Sequence, residues 1–217
     1  ERLRAQVKVS EQELEEVSQK VSKIRQKYAK KLTASIKEAL QDLNFLDVQF
    51  TMQFERTADY TANGIDDAEF LISTNPGEPV KPLGKVASGG ELSRIMLAVK
   101  TVLADHDAVD TLIFDEIDTG VSGRAAQKIA VKMALISKSR QVLSVTHLAQ
   151  IAAMADEHFL IEKSVEGGRS VTEVSRLTAE GRCEELARII GGAQITQLTR
   201  NTGLQMLRLA KAEKKNL

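Results

Sequence analysis

The chain has 217 residues, enough for one ordinary domain and an appendage. Its 30 basic and 30 acidic residues cancel, so no global charge recruits nucleic acid or an anionic membrane, and such contact requires a local patch. Aromatics make up only 4% of the residues and Trp is absent, which leaves Leu, Ile, Val, Ala and Met to build the core. The lone Cys183 excludes an internal disulfide and has no Cys/His neighbours at metal-ligand spacing, which fits a reduced cytosolic compartment. No apolar run approaches the roughly 20 residues of a membrane span, and the charged start is unlike a signal peptide. The first residue is Glu, so a fragment of a longer protein is expected.

The stretch to about Asn44 lacks Gly and Pro and reads as one long helix. Leu14, Val17, Val21, Ile24 and Tyr28 step by alternating threes and fours, as a coiled-coil seam does. Leu32, Ile36 and Leu40 continue in fours, so the stripe drifts, as suits a helix leaving a supercoil to pack on a body. A long amphipathic helix of an ordinary bundle is the plainer alternative. Lys20, Lys23, Lys27, Lys30 and Lys31 recur beside this stripe, with Arg25 nearby. They form either a phosphate-contacting face or the solvated flank of a coiled coil.

Alternation predicts strands over Val48 to Arg56 and Ala68 to Ser73, joined by the polar loop around Asn63-Gly64. Asn75-Pro76-Gly77-Glu78-Pro79 is a turn. A helix is expected from Gly89 to Leu103, then a short buried strand from Thr111 to Phe114 and a helix from Gly123 to Ser137. A strand from Gln141 to Val145, a short helix from Leu148 to Met154 and a strand from His158 to Lys163 follow. Gly167-Gly168 then turns into a strand from Ser170 to Arg176, giving a hairpin. Two helices close the chain, Ala179 to Ile190 and Ile195 to Lys211, split by Gly191-Gly192. Strands alternating with helices predict an α/β fold with a largely parallel sheet.

Three segments carry candidate chemistry. Ser88-Gly89-Gly90-Glu91 opens a helix whose first-turn N–H groups lack intrahelical partners and whose dipole favours an anion. The same residues form an S-x-x-E capping box, which needs no ligand. The strand Thr111 to Phe114 delivers Asp115-Glu116 to its C-terminal end, where open α/β sheets bind ligands. One carboxylate there suits a magnesium ion, and the next suits orienting and deprotonating a water in phosphoryl transfer. Asp118 adds a third carboxylate in the turn that runs to Ser122-Gly123. The strand ending at Val145 delivers Thr146-His147, an imidazole placed for a terminal phosphate or an ordinary helix-start residue.

The order of these segments resembles the signature loop, Walker B strand, D-loop and switch histidine of ABC ATPases. The wording of three runs narrows the resemblance: Lys85-Val86-Ala87-Ser88-Gly89-Gly90-Glu91-Leu92-Ser93-Arg94, Ile113-Phe114-Asp115-Glu116-Ile117-Asp118-Thr119-Gly120, and Val145-Thr146-His147-Leu148-Ala149-Gln150. With Asn75-Pro76-Gly77-Glu78-Pro79 ahead of them, they are similar to the bacterial DNA-repair branch of the structural-maintenance-of-chromosomes (SMC)-like ABC ATPases. The resemblance covers about Leu32 to the C-terminus. The first helix matches a returning coiled-coil arm in position rather than in motif.

The resemblance implies a C-terminal lobe of an ABC-type P-loop ATPase head over residues 45–217, preceded by an arm helix over residues 1–44. It implies ATP and Mg2+ as cofactors, hydrolysed where two heads sandwich two nucleotides. Ser88, Gly89, Gly90 and Glu91 would then meet the γ-phosphate held by a partner head, and Asp118 would lie across the dimer interface. Asp115 would support magnesium, Glu116 would be the general base and His147 would sense the γ-phosphate. The implied setting is DNA double-strand break repair or recombination, cytoplasmic and nucleoid-associated. Its partners are DNA, a second head in a homodimer and the N-terminal P-loop half of the same protein, with no membrane. One departure stands: no G-x-x-x-x-G-K-[ST] occurs in the chain, so the P-loop must lie elsewhere. Two other readings compete. A transporter nucleotide-binding subunit is opposed by the long charged helix and by Glu in place of Gln at position 91. A coiled-coil scaffold with vestigial ATPase elements is opposed by intact Asp115-Glu116 and His147.

Overall fold

The computed structural model describes residues 1–217 except Ala87, Asp105 and Ala193, so Ala87 of the signature run lies outside the described residues. Two compact units make up the chain, Glu1–Ala87 and Ser88–Leu217.

In the first unit, α1 (Arg2–Asp42) is a single unbroken helix, and its 41 residues span about 60 Å. It ends in a Schellman motif. Asn44 takes a left-handed φ of 72°, its N–H donates to Gln41 O, and the Phe45 N–H donates to Leu40 O, each at 3.2 Å. Leu40 and Phe45 are both buried, as the apolar pair of that motif requires. Along the first half of α1 the seam positions Leu14, Val17, Ile24 and Tyr28 stay exposed, while Ser18 and Ala29 are buried. The helix therefore packs through small side chains and leaves its apolar stripe outward. Only at Ile36 and Leu40, where the stripe has drifted, do large side chains turn into the core.

The surface that α1 meets is the hairpin of β1 (Gln49–Thr61) and β2 (Gly64–Ser73), to which β3 (Lys81–Pro82) adds two residues. Both long strands run further toward the hairpin tip than alternation predicts. Their outer, polar ends are held by partners that periodicity does not reveal. Arg56 donates to both oxygens of Glu15 at 2.7 and 2.8 Å, and the Tyr60 hydroxyl donates to the same carboxylate. These bonds, Arg56 foremost, hold Glu15 well below the usual carboxylate range. Arg25 pairs with the nearly buried Asp66 at 3.1 Å. The turn at Asn75 forms as expected, with Gly77 at φ 80° and the Glu78 N–H donating to Asn75 O.

The second unit contains α2 (Gly89–Val102), β4 (Thr111–Phe114), α3 (Gly123–Ile136), β5 (Gln141–Ser144) and α4 (Ala149–Met154). After these come β6 (Phe159–Glu166), β7 (Arg169–Arg176), α5 (Ala179–Gly191) and α6 (Gln197–Asn216). Every predicted helix is present. The expected largely parallel sheet is not: among the described residues only β4 and β5 pair in parallel, and β6 and β7 form an antiparallel hairpin. The reason lies in how many faces are covered. Ile95, Leu97, Leu112, Phe114, Ile129 and Leu186 are buried, yet Ile113, Leu143 and Val145 are 70%, 46% and 55% exposed. Strands this apolar belong to a sheet buried on both faces, and this chain covers one.

Neither β5 nor β6 has a second ladder partner among the described residues. Between them lies a cavity of about 680 Å³, lined in part by Leu143, Val145, His158, Leu160 and Ile161. Two buried polar atoms of its lining, Ser144 Oγ and His158 Nδ1, have no hydrogen-bond partner among the described residues. Burial, with Arg182 nearby, pushes His158 below its ordinary value, and Glu185 acts the other way. Among the described residues, no helix is long and apolar enough to cross a membrane.

Burial separates two leucines of α1 that the sequence pattern treats alike. Leu40→Ala, at a fully buried position, is expected to cost about 2–5 kcal/mol in urea unfolding. Leu14→Ala, at an exposed one, is expected to change stability by less than about 0.5 kcal/mol.

Candidate functional site

The start of α2 carries the glycine loop. Ser88 is its N-cap, and the Ser88 hydroxyl accepts from the Glu91 N–H at 3.4 Å. Ser88 and Gly89 are exposed, whereas Gly90 is buried. Gly90 is a glycine because the turn after β4 presses against it. A β-carbon there would stand 2.8 Å from Glu116 O and 2.9 Å from Thr119 Cβ. At Gly89 a β-carbon would meet only the tip of a side chain, Glu116 Oε2 at 2.7 Å. The positive end of the α2 dipole and the Glu116 carboxylate are thus neighbours.

That turn is held from the α2 side by two residues of the helix's second turn. Ser93 Oγ donates to Asp115 O at 2.8 Å. The Arg94 guanidinium donates to Thr119 O at 2.8 Å and to Ile117 O at 3.5 Å. Burial pushes Arg94 below its ordinary value, with Glu91 acting the other way. Ile117 is fully buried and anchors the middle of the turn. Glu116 sits at φ 56°, a left-handed backbone that costs a non-glycine residue about 1–2 kcal/mol. Strain of this kind persists where the surroundings over-determine the backbone. Asp115 and Glu116 are both exposed, and Asp115 Oδ1 accepts from the Glu116 N–H at 2.9 Å.

From the other side the turn is tied to the end of β5. The Asp118 carboxylate faces inward, and only 3% of the residue is exposed. Asp118 Oδ2 accepts from Thr146 Oγ1 at 2.6 Å and from the His147 N–H at 2.9 Å, and it lies 3.1 Å from His147 Nδ1. Thr146 Oγ1 in turn accepts from the Leu148 N–H at 3.0 Å. The His147 ring remains 74% exposed. Of the residues singled out in the sequence, Ser88, Gly89, Gly90, Asp115, Glu116, Asp118 and His147 all belong to this set of three joined loops. Glu91 lies half-buried on the first turn of α2. Sequence reasoning missed Ser93, Arg94 and Thr146 as parts of the site. Their signal was faint: a serine and an arginine between apolar helix positions, and a hydroxyl just past a strand.

Chemically, the arrangement offers an anion seat at α2, two exposed carboxylates and an exposed imidazole. Among the described residues, no group of three acidic, His or Cys side chains capable of holding a metal ion occurs. Asp115 commits one oxygen to its own loop. A single exposed carboxylate suits magnesium held mainly by phosphate oxygens and water, rather than in an all-protein cage.

No family model matches the chain. It is 50% identical over 208 residues to the DNA repair protein RecN of Halalkalibacterium halodurans, covering 94% of this chain and 37% of that protein. It is 45% identical over 205 residues to RecN of Bacillus subtilis, covering 88% and 36% respectively. The chain therefore spans just over a third of the length of these relatives. Its fold is that of part of an SMC head domain. The Smc head domain with a coiled coil and joint from Pyrococcus yayanosii matches 89% of this chain and 35% of that one, at a TM-score of 0.59 and 19% identity. An Smc head domain with an extended coiled coil from Pyrococcus furiosus matches 73% and 37%, at 0.50 and 23%.

The two glycines at the start of α2 should respond differently to a methyl group. Gly90→Ala forces it into backbone and is expected to destabilise the protein by about 1–3 kcal/mol. Gly89→Ala needs only the Glu116 carboxylate to move, and its loss should stay below about 1 kcal/mol because Ala is the better helix former. Paired thermal melts read the contrast.

Proposed function

Because the chain belongs to the RecN family of DNA repair proteins, whose C-terminal part it matches, we propose that it is half of an SMC-like ATPase head. In this reading residues 45–217 form the C-terminal lobe and residues 1–44 an arm helix. The observation that carries it is the joining of three loops at one exposed edge. The α2 start, the Asp115-Glu116 turn and the β5 end are tied together by Ser93, Arg94 and Asp118. Such an edge, at the C-terminal ends of parallel strands, is where open α/β sheets bind ligands.

The division of labour follows from the side chains. Ser88 and the free N–H groups of Gly89 and Gly90 take a phosphate oxygen of a nucleotide presented by a second head. Glu116 orients a water and accepts its proton as the water attacks phosphorus. Its neighbour Asp115 holds magnesium, which supplies neutralisation of the phosphate charge when bound. His147 touches the terminal phosphate region from the end of β5. The phosphate cradle itself comes from an N-terminal P-loop half of the same protein. Its docking place is the bare face of β4–β5 and the cavity between β5 and β6, where Ser144 Oγ and His158 Nδ1 await partners. Nucleotide-driven pairing of heads and their release on hydrolysis then serve DNA repair, in the cytoplasm at the nucleoid. The exposed seam Leu14, Val17, Ile24 and Tyr28 on α1 suits the partner helix of a coiled-coil arm.

Glu116→Gln in the full-length protein is expected to lower ATP turnover by about 10²–10⁴-fold while ATP-dependent head association persists. Unaltered turnover by that variant overturns the general-base assignment. The 217-residue chain alone, tested in parallel, is expected to hydrolyse no ATP that depends on Glu116, and appreciable Glu116-dependent turnover overturns the half-site reading.

A further inference from the structure

Asp118 invites a role of its own, because two hydrogen bonds and the contact with His147 Nδ1 converge on one buried oxygen. We propose that Asp118 is a positioning residue that fixes the His147 ring in its Nδ1–H form and so decides what Nε2 presents to the nucleotide. The functional part of this proposal rests on the ATPase reading above.

An ionised carboxylate only accepts hydrogen bonds. With Oδ2 3.1 Å from His147 Nδ1, the proton of that contact sits on Nδ1. The adjacent His147 N–H and the Thr146 hydroxyl reach the same oxygen at 2.9 and 2.6 Å, so the carboxylate cannot shift away from the ring edge without breaking backbone anchoring. Burial of Asp118 beside a 74% exposed ring means that the fixed edge of the imidazole faces inward and Nε2 faces outward. In the neutral ring Nε2 then carries a lone pair. It accepts from a donor such as the water that Glu116 orients. A phosphate oxygen, which has no proton to give, is met only by the doubly protonated ring. The same carboxylate joins the turn that carries Glu116 to the loop that carries His147. Water activation and phosphate sensing therefore share one anchor.

The test uses the full-length protein with Asp118→Ala, His147→Ala, the double variant and Asp118→Asn. Asp118→Ala is expected to lower kcat for ATP by about 10- to 100-fold, as loss of a residue that orients a functional imidazole does, with KM little changed. On the His147→Ala background the same substitution should cost clearly less, since most of its effect runs through the ring. Asp118→Asn should restore turnover to within a few-fold of wild type. The His147 backbone N–H can only donate, so it selects the amide oxygen and leaves that oxygen facing Nδ1. This rescue separates lost positioning from lost folding.

Imidazole ¹⁵N spectra of the nucleotide-free protein, assigned by His147→Gln, give a readout that does not need catalysis. They are expected to show protonated Nδ1 and bare Nε2 in wild type, and mixed tautomers in Asp118→Ala. A wild-type ring protonated at Nε2 instead overturns the proposal, as does an Asp118→Ala loss that multiplies with that of His147→Ala. If turnover survives Glu116→Gln, the ATPase reading fails, while the ¹⁵N spectra still decide whether Asp118 fixes the ring.

Discussion

The five-residue turn from Asp115 to Thr119 is the constraint on which the site depends. Its own hydrogen bonds are few, and Glu116, its second residue, takes a left-handed backbone. Its conformation is imposed from outside. Ser93 and Arg94 hold its carbonyls from α2, Ile117 plugs it into the core, and Asp118 ties it to Thr146 and His147. Each of these partners also positions a candidate functional group. The helix that offers the anion seat, the strand that ends in the carboxylates and the loop that carries the imidazole cannot move separately without breaking a hydrogen bond to this turn.

The half-built character of the second unit has the same physical root. A two-stranded parallel sheet does not stabilise itself when one face is bare and, among the described residues, both edges lack a ladder partner; here the bare face carries Ile113, Leu143 and Val145. The relatives at 50% and 45% identity are nearly three times as long as the matched segment. In the half-head reading proposed above, the P-loop half covers that face. The exposed seam of α1 fits the same account, since an apolar stripe that its own unit leaves outward needs a partner helix.

Much of the local structure was legible beforehand. The Gly- and Pro-free run gave α1, the turn chemistry of Asn75-Pro76-Gly77-Glu78 and Gly167-Gly168 gave their loops, and Ser88 as N-cap, the half of the S-x-x-E box that forms, gave the start of α2. What misled was the assumption that alternating strands and helices supply their own sheet. Topology depends on which strands lie within the chain, and periodicity says nothing of strands that lie outside it. The length of β1 was equally hidden, because Arg56 and Tyr60 are polar and are held by Glu15, 41 and 45 residues away.

The sequence by itself determined the residue types and order of the candidate site: the glycine loop, the carboxylate pair, the third acid and the histidine. These depend on local chemistry, namely helix starts and strand ends, which short segments encode. Only the tertiary structure decided what each residue touches. It turned Asp118 inward to the His147 ring, brought Ser93 and Arg94 into the site, and packed α1 through Ser18 and Ala29 where the seam positions Leu14, Val17, Ile24 and Tyr28 stay exposed. Those outcomes hang on contacts between residues tens of positions apart, and no spacing rule within a segment reports a partner that arrives from another element.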